Sequence, residues 1–305
     1  MKIGFIGLGN MGAGMAANIL RYCEHSGDSL TVLDLNQAVV EKFVGLGARR
    51  GASVQDIAQN CELIFTSLPS SKQVAQVAFG AEGILENALP GAVWIETSTS
   101  ELAEWEKVRA AAPASLTLID GPVTGGAEGA AAGTLTMLLG AEETQLEALR
   151  PVLESFTKRA VRMGPAGAGY ATKLIQLHLN YLVAQGIGEA LMLGTKANLD
   201  LDTLHGVLQN SCAQSYVVDR YIPMVLDGSY DPSFALGLAT KDMRLITGLG
   251  EYLDVDLTLA RKVYETYQVA TAEFGEDAPH LSVVKLIENS GKTLLRSTAS
   301  QDKPA

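Results

Sequence analysis

Lys173 closes the run Gly167-Ala168-Gly169-Tyr170-Ala171-Thr172-Lys173, which opens a long helical pattern. A lysine in the first turns of a helix lies near the positive end of the dipole, which disfavours its ammonium form. Burial in a cleft acts the same way and would bring it toward the range of a general acid/base. Position alone leaves a solvated surface lysine equally open. Gly7, Gly9 and Gly12 supply a second kind of chemistry, through the spacing G-x-G-x-x-G within residues 2–18, KIGFIGLGNMGAGMAAN. Lys2–Ile6 reads as a short buried strand, and the pattern turns helical from Met11 to Leu20. Strand, glycines and helix in that order leave bare backbone N–H groups at a helix N-terminus, which suits a pyrophosphate.

The spacing alone also describes a tight turn with no ligand. A second apolar run, residues 30–33, then ends in Asp34, about 22 residues beyond Gly12 and close to the ~20 expected of the acid that holds an adenosine ribose. All the parts fall in one βαβ unit, which points to a dinucleotide. A carboxylate accepts hydrogen bonds from a ribose 2′-OH and repels a 2′-phosphate, so NAD is favoured over NADP. Leu35 and Asn36 follow Asp34, while Arg49 and Arg50 lie further on.

Two other stretches stand out. Residues 120–133, DGPVTGGAEGAAAG, follow a strand and are rich in Gly and Ala. They read either as a flexible surface loop or as a nest of N–H groups for a carboxylate, with the Thr124 hydroxyl as a further donor. Residues 234–243, FALGLATKDM, place Lys241 and Asp242 near the start of a helix, where a solvated ion pair is the ordinary reading.

The elements that must position these groups alternate at first. Strands fit at Lys2–Ile6 and at residues 30–33, 63–67, 92–97, 116–120, 134–139 and 160–163. Helices fit at residues 11–24, 37–46, 53–59, 71–79, 100–112 and 142–155. The alternation predicts an α/β fold with a mostly parallel, doubly wound Rossmann-type sheet, covered on both faces. One helical pattern then runs over residues 168–197, about 45 Å at 1.5 Å per residue. It is apolar nearly all round, which implies burial on several sides. Further helices fit at residues 201–208, 215–226, 235–253, 257–274 and 281–290. The expected organisation is a dinucleotide-binding domain over 1–164, an all-helical substrate and oligomerisation domain over 165–297 entered by a long interdomain helix, and a disordered tail over 298–305.

Composition narrows the partners. The chain has 305 residues, 47% of them apolar and 19% charged, as in ordinary globular proteins. A net charge of −11 argues against nucleic acid. No run of about 18 apolar residues is present, so no membrane span is expected. Cys23, Cys61 and Cys212 are odd in number and widely spaced, which suits buried thiols in a reducing cytoplasm. His25, His178, His205 and His280 have no metal-type spacing, so no metal site is expected.

Taken together, these motifs resemble the β-hydroxyacid dehydrogenase family from Lys2 to about Lys292. Gly7-Leu8-Gly9-Asn10-Met11-Gly12, with Met15, Ala16 and Asn18, is similar to its cofactor signature. Residues 120–133 are similar to its substrate signature, with Thr124 where Ser is usual. Gly167, Gly169 and Lys173 match its catalytic signature. The resemblance implies hydride transfer between a nicotinamide cofactor and a small 3-hydroxy acid or its semialdehyde in an interdomain site. Lys173 would be the general acid/base, and Thr124, Gly125 and Gly126 would hold the substrate carboxylate. Leu68, Pro69, Thr99, Phe234, Lys241 and Asp242 would join the glycine loop and Asp34 around the cofactor. It also implies a homodimer or homotetramer.

The chain departs from the pattern at Leu177, where the family usually has Asn. Gln176 or Asn180, at i+3 and i+7 from Lys173, or His178, would replace that amide. His280 stands where Asp is common. Tyr170, Tyr216, Asp219 and Arg220 are candidates for the pocket wall. Rival readings are an NADPH-dependent glyoxylate or succinic semialdehyde reductase, an imine reductase of the same architecture, and a dinucleotide sensor without catalysis.

Overall fold

The computed structural model describes residues 1–297, so the tail expected over 298–305 lies outside the described residues. The chain divides into two compact units, Met1–Lys173 and a second that begins at Leu174.

The first unit is built on β1 (Lys2–Ile6), β2 (Ser29–Leu33), β3 (Arg49–Arg50), β4 (Leu63–Thr66), β5 (Val93–Glu96), β6 (Thr117–Asp120), β7 (Val123–Thr124), β8 (Leu135–Gly140) and β9 (Thr157–Gly164). Among the described residues they form one sheet in the order β3-β2-β1-β4-β5-β6-β8-β7, with β9 beside β8. From β3 to β6 every pairing is parallel; β8 turns antiparallel to β6 and β7. Alternate residues of the central strands enter opposite layers. Ile3, Phe5, Phe65 and Ile95 pack into one core, and Ile6, Ile64 and Trp94 into the other. Burial on both faces explains why these strands are nearly continuous apolar runs.

Four elements escaped the sequence pattern: β3, β7, the helix Ile84–Asn87 and the helix Gly126–Ala132. The last corrects the loop reading of residues 120–133. Alanines favour helix there, and Gly133 ends it in the left-handed region at φ 70°. The single helix expected over 142–155 is broken into Glu143–Leu146, a 3₁₀ turn Glu147–Leu149 and Arg150–Glu154. Pro151 lacks the N–H that a continuous helix needs and fits only a first turn.

The second unit is helical, with Leu201–Gln209, Tyr216–Leu226, Leu236–Tyr252 and Thr258–Phe274. Asp200 and Ser215 cap two of these by accepting from Thr203 N and Val218 N. The helix expected over 281–290 begins instead as a 3₁₀ turn, His280–Val284, before Lys285–Gly291. The long helix runs from Ala168 to Lys196 and carries the chain from the first unit into the second.

Candidate active site

The glycine loop joins β1 to the helix Gly12–Ser26, and each glycine answers a different local demand. Gly7 sits at φ 96°, and a Cβ there would lie 2.2 Å from the Ser67 carbonyl oxygen. A Cβ on Gly12 would lie 2.0 Å from the carbonyl oxygen of Gly7. These two glycines close the turn. At Gly9 a Cβ would meet no protein atom within 4 Å. Its lack of a side chain is therefore not a packing requirement, and it leaves a cradle of the kind a pyrophosphate needs. Leu8 is buried and Asn10 is exposed.

Asp34 stands at the tip of β2, beside this loop. Its carboxylate accepts from Leu8 N at 2.5 Å and from Asn36 N at 2.7 Å. Arg50 is occupied, donating to Gln37 at 2.7 Å and pairing with Glu41. Further along the strand tips, the Ser98 hydroxyl accepts from Leu68 N at 2.7 Å. That bond ties the Leu68-Pro69 turn after β4 to the Ser98-Thr99 turn after β5.

Thr124 lies in β7, paired with Thr136 of β8. Gly125 and Gly126 follow at φ 131° and 68°, and both are exposed. The helix they introduce is held against the helix Gly12–Ser26. A Cβ on Gly14 would lie 2.7 Å from the Ala130 backbone, and the Asn18 amide donates to Ala130 O at 2.8 Å. Gly14 and Asn18 thus fasten the Gly/Ala-rich stretch to the first helix. The signal was a Gly and an Asn four residues apart, on one helix face.

Lys173 is buried, at 8% exposure. The helix that carries it starts against β6. Asp120 accepts from Gly167 N at 2.5 Å and Tyr170 N at 3.0 Å, filling bare donors of the first turn. Burial raises the Asp120 carboxyl, and those backbone bonds oppose the rise. Gly169 is required by this contact, since a Cβ would lie 2.4 Å from Leu138 O. Tyr170, a candidate wall residue by sequence, is buried at 1% and donates to Glu96. Glu96 went unremarked by sequence reasoning, although a charge inside the run 92–97 was a visible signal.

In the second unit Leu177 is buried, Gln176 is exposed, and burial lowers the pKa of His178. Asn180 accepts from the Tyr221 hydroxyl at 3.3 Å. Asp242 is 4% exposed and is no solvated partner; it pairs with Lys241 at 3.2 Å and accepts from Tyr181 at 2.9 Å. His280 contacts Asp231 at 2.9 Å, and its ring meets Tyr221 and Phe234 edge-on at 5.0 and 5.7 Å. Tyr216 is 67% exposed.

Comparison with known proteins bears on this arrangement. A family model described as the NAD binding domain of 6-phosphogluconate dehydrogenase matches residues 2–164. A second, described as NAD-binding of NADP-dependent 3-hydroxyisobutyrate dehydrogenase, matches residues 167–287. The chain belongs to the β-hydroxyacid dehydrogenase family. It is 33% identical over 270 residues to the 2-(hydroxymethyl)glutarate dehydrogenase of Eubacterium barkeri, covering 88% of each chain. It is 34% identical over 252 residues to the NAD-dependent L-serine dehydrogenase of Pseudomonas aeruginosa, covering 80% of this chain and 83% of the relative. The solved 3-hydroxyisobutyrate dehydrogenase of Mycobacterium tuberculosis with L-serine superposes with a TM-score of 0.86 at 26% identity, over 94% of this chain and 98% of that one.

As a member of this β-hydroxyacid dehydrogenase family the chain is an NAD(P)-dependent oxidoreductase acting on hydroxy acids. The Gly9 cradle and the placed Asp34 carboxylate fit the cofactor. Among the described residues no group of three or more His, Cys, Asp or Glu is arranged to hold a metal, and no helix is long and apolar enough to cross a membrane. Cys23 and Cys61 are buried thiols, each pushed up to about 11 by burial. Cys212 corrects the expectation of buried thiols. It is exposed, because it falls in the turn after Leu201–Gln209 and not on a packed face.

Proposed function

We propose that this dehydrogenase oxidises 2-substituted 3-hydroxypropanoates to their semialdehydes, with NAD as the preferred cofactor and Lys173 as general acid/base. A nicotinamide held by the cofactor set would supply the hydride acceptor. In oxidation the neutral Lys173 amine takes the hydroxyl proton as the substrate C3 loses hydride; in reduction its ammonium returns that proton to the oxygen. Thr124 and the backbone N–H groups of Gly125 and Gly126 hold the substrate carboxylate. Asn180, with Gln176 as the more exposed alternative, replaces the amide absent at Leu177.

The observation that carries this reading is the burial of Lys173 on a helix start fixed by Asp120. The substrate class rests on the two relatives named for 2-(hydroxymethyl)glutarate and L-serine, whose hydroxyls are both β to a carboxylate. Preference for NAD rests on Asp34, whose charge repels a 2′-phosphate, and on the engagement of Arg50 with Glu41. The Gly7–Gly12 loop, Leu68, Pro69, Thr99, Phe234, Lys241 and Asp242 make up the cofactor set.

The protein works as a homodimer or homotetramer in the cytoplasm. Ile175, Leu179 and Leu193, exposed at 57%, 60% and 72%, fall on one face of the long helix together with Gly186. An apolar face of that kind suits a second copy of the chain.

The deciding experiment is a screen of NAD⁺ reduction over L-serine, 3-hydroxyisobutyrate, glycerate, 2-(hydroxymethyl)glutarate, 4-hydroxybutyrate and glycolate. Turnover is expected for β-hydroxy acids only. Preference for 4-hydroxybutyrate or glycolate would refute the substrate class, and tighter use of NADP⁺ would refute the role of Asp34.

A further inference from the structure

A buried polar network in the first unit has no part in the scheme so far. Its hub is Glu96, fully buried at the end of β5. Both carboxylate oxygens accept from Ser98 N at 3.1 Å, and one accepts from the Ser98 hydroxyl. That oxygen also faces the Thr66 hydroxyl of β4 at 3.3 Å, and the other accepts from the Tyr170 hydroxyl. The surround is stiff. Trp94 Nε1 donates to Thr66 at 2.9 Å, and the rings of Trp94, Trp105 and Tyr170 meet edge-on in series, with centroids 5.4 and 5.6 Å apart.

The outer ends of this network are the groups the reaction needs held. Ser98, besides donating to Glu96, accepts from Leu68 N. Tyr170 lies in the first turn of the long helix, three residues before Lys173. One carboxylate therefore ties the two turns of the cofactor set to the turn that carries the proton donor.

We propose that Glu96 is a positioning residue for proton transfer, its ionised carboxylate fixing Tyr170, and hence the Lys173 turn, in register with the Leu68 and Ser98 loops. This deepens the proposed function and rests on it. All the groups around Glu96 present donors to it, so the ionised form satisfies the geometry; a proton on either oxygen takes away an acceptor. Burial pushes this carboxyl up to about 7, against the opposing bonds from Ser98, Tyr170 and Thr66. The titratable neighbours are Tyr170, Asp120 at the paired position of β6, and Lys173 one turn along the helix. Burial, reinforced by Glu96, keeps Tyr170 protonated throughout the working range. Between Glu96 and Tyr170, the proton that moves near neutrality is therefore the one on Glu96.

The test is the pH profile of kcat for the wild type, Glu96→Gln and Tyr170→Phe with the best substrate of the screen. In the wild type kcat should fall below a midpoint near 7. Glu96→Gln should lower kcat about tenfold at pH 8, as expected for a slightly misplaced donor, and remove the step near 7, leaving only the limb set by protonation of the Lys173 base, with KM for NAD⁺ little changed. Tyr170→Phe removes a bond that holds the Glu96 pKa down, so it should move the limb to higher pH. It carries the test if the Gln variant does not fold.

Thermal melts without substrate follow the same group. Folded wild type keeps the Glu96 proton up to about 7 while the unfolded chain releases it near ~4.3. Wild type should therefore lose stability relative to Glu96→Gln as pH rises through that window. An unchanged limb in both variants, or a stability difference independent of pH, would overturn the proposal. Wild-type protein that binds NAD⁺ but oxidises no hydroxy acid at any pH would instead overturn the functional reading.

Discussion

The two units solve the problem of placing polar groups differently. In the first, the cofactor and substrate motifs sit at strand ends, and each is supplied by residues adjacent in sequence. Gly7, Gly9 and Gly12 follow β1, Asp34 follows β2, Ser98 follows β5 and Gly125 follows β7. In the second, buried polar groups meet across long stretches of chain. Asp231 reaches His280, and Tyr181 reaches Asp242, over sequence separations of 49 and 61. A sheet lets a short motif specify a site because strand ends are already aligned by the ladder. A helical unit has no such ladder, and its pairings depend on how whole helices pack.

This contrast can be broken by substitution. The largest effect is expected at Gly12→Ala, where the new Cβ would lie 2.0 Å from the Gly7 carbonyl oxygen. Backbone must move, at a cost of about 3 kcal/mol, and NAD affinity should be lost with the turn. Denaturant unfolding and calorimetric titration would check both; wild-type values in either would deny that the loop is so tightly closed.

His280→Ala asks the same of the second unit. It leaves Asp231, 5% exposed, with Ser233 as its remaining partner. Removing one partner of a buried pair costs about 3 kcal/mol, read as a lower Tm. Burial pushes the Asp231 carboxyl up, but the bonds from His280 and Ser233 outweigh it and hold the group down to about 2. Its stabilisation is thus present above the ordinary Asp value near ~3.9 and disappears as pH falls through about 2. Acid unfolding should begin at higher pH in the variant. Coincident acid transitions would show that the pair does not anchor this unit.

Gly9→Ala should have the smallest effect on stability, within about 0.5 kcal/mol, because its Cβ meets no protein atom. NAD affinity should nonetheless fall about tenfold. A Tm loss equal to that of Gly12→Ala would erase the distinction between closing and cradling glycines.

What the sequence made legible follows a related division, between local motifs and partners distant in sequence, and it cuts through the first unit as well. Apolar runs located β1, β2, β4, β5, β6, β8 and β9, and the spacing of Gly7, Gly12 and Asp34 located the tight turn between β1 and the helix Gly12–Ser26. The helix Gly126–Ala132 was hidden because glycines suggest a loop, while its stability comes from contact with Gly14 and Asn18. Pro151 was passed over as a helix break inside an otherwise periodic segment. Glu96 was visible only as a charge within an apolar run, because its partner Tyr170 stands 74 residues away. His280 was visible as a departure from the family pattern, but not its pairing with Asp231. Local backbone geometry can be read in order along a chain; partners brought together by packing cannot.

The role of Lys173 is tested most directly by Lys173→Ala, assayed for hydride transfer and NAD binding on the same preparation. Turnover should fall on the order of 10³-fold, as for loss of a general acid/base, with NAD affinity within about twofold of wild type and partial rescue by added methylamine. A variant that binds NAD and turns over within about tenfold of wild type would contradict the account.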